Sequence, residues 1–213
     1  MKKIKFKVFD LFPAIVLMIL VPTIASSQVL EFSDWEKQTF IKQSPDRIME
    51  IAGIEPGMTI GEVGAGYGRI TLHLAKRIGE SGKIYANDIN KRVLDSLLIR
   101  CSYAGFKNVK IILGEENDPL FPQSSLDVVI FVWTFHWLEE PIEFMKNLSP
   151  SLKPKAKVIL VEPDPDRGPG GPENGISREL IKSVAKQSGF KLIHTYTDFP
   201  EDLIFVLKRK RKV

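Results

Sequence analysis

Between Ser44 and Leu207, short apolar runs alternate with segments whose apolar residues recur at helical spacing, and this alternation is what most constrains the fold. The run Leu126–Val132 (Leu-Asp-Val-Val-Ile-Phe-Val) is nearly all apolar, as a central strand covered on both faces requires. Strands are also predicted at Met58–Val63, Lys83–Asp88, Lys110–Leu113, Lys157–Glu162, Lys191–Thr197 and Leu203–Leu207. The first helix starts at Ser44-Pro45-Asp46: Ser44 can cap, Pro45 suits the first helical position and Asp46 meets the positive helix end. Ile48, Ile51 and Ala52 form its inner stripe and Gly53 stops it. Further helices are predicted around Ile70–Ile78, Lys91–Ala104, Pro141–Leu148 and Ser177–Ser188, the last with Ile176 and Ile181 as a hydrophobic staple. Seven strands with intervening helices predict a doubly wound α/β sheet. The final two strands, joined by the Pro200–Asp202 turn, are close enough in sequence to pair antiparallel.

A length of 213 residues suits one such domain with one sizeable core. The single cysteine, Cys101, excludes a disulfide scaffold and a Cys-rich metal module, and three histidines leave little for a His-based centre, so no metal site is expected. The formal net charge is +4, but nine cations sit in the two tails: Lys2, Lys3, Lys5 and Lys7, then Lys208 to Lys212. Without them the balance is 21 cations against 26 acids, so the body is acidic and nucleic acid is not an expected partner.

Residues 1–28 read as a targeting segment. Four lysines precede an apolar run beginning at Leu11, and Ala25-Ser26-Ser27 offers the small residues of a cleavage site. At about 15 residues the run is short of the ~20 that a spanning helix needs. Both a cleaved signal and a retained anchor keep the lysines cytoplasmic and carry the body out to the cell envelope; if the segment is neither, the body stays cytoplasmic. Residues 208–213 form a basic tail, read as a solvated strand end or as a contact for anionic lipid. These two ends are the expected points of any membrane contact.

In an open parallel sheet, ligands bind beyond the carboxyl ends of the strands, where the strand order reverses. After the first strand stands Glu62-Val63-Gly64-Ala65-Gly66-Tyr67-Gly68. A dinucleotide fingerprint anchored at Gly64 and Gly66 needs a third glycine where this chain has Arg69. The acid at 62 repels pyrophosphate but suits an ammonium group. The second strand ends at Asp88, 24 residues after Gly64, close to the spacing at which an acid takes ribose hydroxyls; a helix N-cap is the plainer role. The third strand leads into Gly114-Glu115-Glu116-Asn117-Asp118, which can accept from an adenine amino group, with Leu120 or Phe121 at the rim. The fourth leads into Trp133-Thr134-Phe135-His136-Trp137, where aromatics can wall a substrate pocket and His136 can serve as a base or as a packing residue. The Gly/Pro-rich stretch Pro163–Pro172, with Asp164, Asp166 and Arg167, reads either as a site rim or as a connector.

From about Trp35 to Leu207 these residues resemble the class I S-adenosylmethionine-dependent methyltransferases of the small-molecule type. The resemblance rests on Glu62-Val-Gly64-Ala-Gly66-Tyr-Gly68, Asp88, Gly114-Glu115 and Pro119-Leu-Phe-Pro122 ahead of Leu126-Asp127. It implies a Rossmann-like seven-stranded sheet with helices on both faces and an antiparallel last strand, spanning residues 29–207. It implies S-adenosyl-L-methionine as cofactor, held by Glu62, Gly64, Ala65, Gly66, Asp88, Glu115 and Glu116. The family more often has aspartate where this chain has Glu62 and Glu115. Methyl transfer to a small-molecule acceptor is the implied activity, with His136 as the candidate catalytic residue. A non-catalytic, cofactor-binding module of the cell envelope is the competing reading.

Overall fold

The computed structural model describes residues 32–210; residues 1–28, for which a targeting role is expected, and the last three residues lie outside them. In chain order the elements are α1 (Asp34–Lys42), α2 (Pro45–Ala52), β1 (Thr59–Val63), α3 (Thr71–Ile78), β2 (Lys83–Asp88), α4 (Lys91–Tyr103), β3 (Val109–Leu113), β4 (Leu126–Val132), α5 (Pro141–Leu148), β5 (Leu152–Pro163), α6 (Arg178–Gln187), β6 (Phe190–Tyr196) and β7 (Asp202–Arg209). The strands form one sheet in the order β3-β2-β1-β4-β5-β7-β6. β1 to β5 pair in parallel, and β7 runs antiparallel between β5 and β6. The chain therefore leaves β1 toward one edge and returns to its other side at β4, which opens a crevice at their carboxyl ends.

Side-chain alternation along β4 divides the interior in two. Val128, Ile130 and Val132 join the core covered by α2, α3 and α4, while Val129 and Phe131 join the core covered by α5 and α6. The expected caps are present: Ser44 accepts from Arg47 N at 3.3 Å and Ser177 from Leu180 N at 3.1 Å, and Gly53 adopts φ +68°. Among the described residues no helix is long and apolar enough to cross a membrane.

Three departures from the sequence reading have physical causes. Helix α1 was not anticipated, because its buried positions are the polar Glu36 and Thr39 and it has no apolar stripe. Strand β5 begins at Leu152, five residues before the predicted Lys157, since Leu152 already pairs with Leu126 ahead of an irregularity in the ladder. Strand β7 continues through Lys208 and Arg209, so these residues are ladder members rather than tail, and Arg209 Nη1 donates to Ser149 O at 2.9 Å.

Phe131 is fully buried at the centre of the sheet and meets Phe135 and Phe144 edge-on, with ring centroids 5.8 and 5.9 Å away. Phe131→Ala is expected to cost about 3–5 kcal/mol in urea unfolding. The exposed Lys110→Ala on edge strand β3 is expected to stay within about 0.5 kcal/mol.

Candidate active site

The turn after β1 is built from glycines in the left-handed region, with φ +71° at Gly64 and +53° at Gly66. A side chain at Gly64 would collide with Thr134, which follows β4. At Gly66 the direction a side chain would take is empty to 4 Å, so backbone alone faces the crevice there. The turn is fixed from the next strand: Asp88 Oδ2 accepts from Gly66 N at 3.0 Å, and Ala65 N donates to Asn87 O at 2.8 Å. Asp88 Oδ1 accepts from Asn90 N, and Asn90 rather than Asp88 caps α4.

Two chambers meet at Gly64 and Trp133. The smaller, about 350 Å³, is lined by Asp88, Ile89, Glu115, Glu116, Thr134 and Trp137 among others. Every charged residue on its wall is an acid, and carboxylates without a cation exclude a phosphate. The larger, about 800 Å³, is lined by Trp35, Glu62, Tyr67, Arg69, Ile99 and Trp133 among others. The expected cofactor residues are thus brought together: Glu62, Ala65 and Gly66 border the larger chamber, Asp88, Glu115 and Glu116 the smaller, and Gly64 both.

Glu62 is the penultimate residue of β1 and is 3% exposed. Burial pushes its carboxyl up to about 7, against the pull of the Thr71 hydroxyl, which donates to it at 2.6 Å, and of the nearby Arg69. Trp133 holds φ +54°, an unusual conformation for a bulky residue, at the exit of β4. Its Nε1 donates to Asp202 Oδ1 at 2.6 Å, and Gln43 Nε2 donates to Asp202 Oδ2 at 2.8 Å. Asp202 is 1% exposed, and burial raises its pKa despite both donors.

Other expected positions lie elsewhere. His136 borders a separate crevice of about 320 Å³ beside α6, with its Nδ1 2.5 Å from Glu162 Oε2. Glu162 is fully buried and also accepts from Thr134 N and Phe135 N, so this carboxylate fixes the turn that delivers Trp133 and Thr134. Phe121 is not at the rim; it lies buried over Gly61. Asp164 receives Asp166 N and pairs with Arg167 at 2.6 Å, so these three organise their own turn and do not line either chamber.

Sequence reasoning missed the wall contributed by α1 and α4. Ser33 and Glu36 form a capping box, with Glu36 N donating to Ser33 Oγ at 3.2 Å and Ser33 N to Glu36 Oε2 at 2.7 Å. Arg100 then pairs with Glu36 at 3.0 Å and donates to Tyr67 O at 2.8 Å. Burial opposes ionisation of Glu36, but Ser33 and Arg100 outweigh it and hold the carboxyl below its usual value. The Ser-x-x-Glu spacing was the available signal.

The raised Glu62 pKa has a defined effect on stability. The folded chain keeps a proton that the unfolded chain loses between 4.5 and about 7. The stabilisation is therefore complete below pH 4.5 and disappears as pH rises through 7. Glu62→Gln stays neutral throughout. Its stability relative to the unaltered chain is expected to be unchanged near pH 4 and greater by roughly 3 kcal/mol at pH 8, from urea midpoints. Parallel pH profiles for the two proteins would show that this carboxyl is not desolvated.

Residues 61–160 match the family described as methyltransferase domain. The chain is 25% identical over 126 residues to nocamycin O-methyltransferase of Saccharothrix syringae, covering 59% of this chain and 45% of that one. It is 26% identical over 118 residues to the ubiquinone/menaquinone biosynthesis C-methyltransferase UbiE of Azotobacter vinelandii, covering 54% and 46%. The chain thus spans about half the length of these curated relatives. Among solved structures, an S-adenosylmethionine-dependent methyltransferase from Aquifex aeolicus superposes with a TM-score of 0.74 at 25% identity, covering 86% of this chain and 96% of that one. The strand order agrees with these likenesses: the chain has the class I methyltransferase fold, with residues 61–160 matching a methyltransferase domain.

Proposed function

We propose that this chain transfers a methyl group from S-adenosyl-L-methionine to a small molecule with an apolar body. The observation that carries the reading is the meeting of two unlike chambers at Gly64, one acidic and one walled by Trp35, Trp133, Tyr67 and Ile99. The donor set suits the cofactor. Asp88 has acceptor capacity left for ribose hydroxyls, Glu115 and Glu116 for an adenine amino group, and Glu62 for an ammonium. Open backbone at Gly66 accommodates the portion between them.

When bound, the cofactor supplies a methyl carbon already activated by its positive sulfur. The chain's own contribution is placement. The glycine turn and Asp88 fix one reactant, while the indoles of the larger chamber exclude water and confine the other. Orientation of this kind can remove up to ~7–11 kcal/mol of a barrier. No side chain has to act as a nucleophile. His136 lies outside both chambers, and its bond to Glu162 supports a positioning role for the turn carrying Trp133.

S-Adenosylhomocysteine is expected to bind the purified chain in calorimetry, and Asp88→Ala to weaken it about 10- to 100-fold, the loss of charged hydrogen bonds worth about 1.5–3 kcal/mol. Unchanged binding would remove Asp88 from the ribose site. Tritiated methyl transfer into fractionated extract is expected to label a small, organic-soluble molecule; label in protein alone would overturn the acceptor class. The composition of residues 1–28 supports export of the body to the cell envelope, with contact to the membrane through that segment. N-terminal sequencing of envelope and cytosolic fractions checks this, and an intact Met1 confined to the cytosol would refute it.

A further inference from the structure

Arg69 lies in the turn just ahead of α3, on the wall of the larger chamber, yet it makes one hydrogen bond among the described residues, from Nη1 to the Gln43 amide oxygen at 2.7 Å. It has no ion pair there, and burial lowers its pKa. Its guanidinium lies over the indoles of Trp35 and Trp133, 5.7 and 5.2 Å from their centroids. Three acids act on it from a distance, and each is held elsewhere: Glu62 by Thr71, Glu36 by Arg100 and Asp202 by Gln43 and Trp133. A guanidinium carries five N–H donors in a fixed plane, so four remain uncommitted here. Arg69 is thus a partly buried, rigidly framed cation lacking a direct anion, an arrangement that carries a cost until an anion arrives.

Glu62 is its complement. The two flank one turn, face one chamber and feel each other electrostatically, but they form no ion pair with each other. An α-amino acid carries an ammonium and a carboxylate on a single carbon. The site that fits it presents an acid and a cation side by side, held apart. We propose that Arg69 binds the carboxylate of the cofactor's amino-acid portion while Glu62 takes its ammonium. This inference rests on the methyl-transfer reading above and adds to it a residue with a role of its own. Gln43 and Asp202 are positioning residues for Arg69, so the far end of α1 is part of the cofactor's grip. With Arg69 so engaged and Arg100 paired to Glu36, both arginines on the wall of the larger chamber are matched, which agrees with an uncharged acceptor.

The test compares three nucleosides on the full chain by calorimetry. S-Adenosylhomocysteine carries both head groups, its decarboxylated analogue keeps only the amine, and 5′-methylthioadenosine lacks both. The unaltered chain is expected to bind the first at least tenfold more tightly than the second. Arg69→Gln is expected to weaken S-adenosylhomocysteine 10- to 100-fold and to leave the other two within twofold, which also shows that the variant is folded. Arg69→Lys should recover part of the loss, and Gln43→Ala should show a smaller loss with the same ligand pattern. A uniform loss across all three ligands would make Arg69 structural. Full S-adenosylhomocysteine affinity in Arg69→Gln with reduced methyl transfer would assign the arginine to the acceptor, and either result overturns the proposal. Failure of the unaltered chain to bind even 5′-methylthioadenosine would instead defeat the methyl-transfer reading on which it rests.

Discussion

A carboxyl group taken out of water at the tip of β1 governs the rest of the site. Glu62 is placed there by parallel pairing of β1 with β2 and β4, which leaves its side chain little choice of direction. Its neighbours supply one hydroxyl donor and a cation at a distance, short of what an ionised carboxylate needs. The glycine turn beyond it, the acid on β2 and the arginine just ahead of α3 are arranged around that group.

Much of this was legible because local and global signals agree. The apolar run at Leu126–Val132 could be nothing but a central strand, and the caps at Ser44 and Ser177 marked helix starts without reference to anything distant. Glu62, Gly64, Gly66 and Asp88 stand at strand ends, so finding the strands located the acids. Helix α1 escaped because it docks through other means than an aliphatic stripe. Phe32 and Phe40 close over His73, with centroids 5.0 and 4.8 Å away, and Glu36 reaches Arg100. Burial keeps the His73 imidazole below its ordinary pKa, so an uncharged ring lines that contact.

Arg69 illustrates a different limit. In the sequence it registers as the residue that spoils a dinucleotide fingerprint, which is an exclusion and carries no role. Its environment is assembled from residues far apart along the chain: Gln43 and Asp202 are separated by 159 positions. No periodicity reports a pairing of that kind, and only the folded sheet brings the two together. The same holds for His136, whose aromatic surroundings pointed to the substrate pocket, whereas Glu162 turns it toward a neighbouring crevice.

The insertion of β7 between β5 and β6 has a bearing on how this chain comes to be complete. Asp202 is the first residue of β7, and it is the anchor for both Trp133 and Gln43. A nascent chain that has emerged only as far as β6 already owns the glycine turn, the two acids and the arginine. It nevertheless lacks the clasp that sets the indole and the amide, and the apolar flank of β5 from Val158 to Val161 still offers an unpaired ladder. The wall of the larger chamber is therefore set last, by the same strand that pairs the open flank of β5.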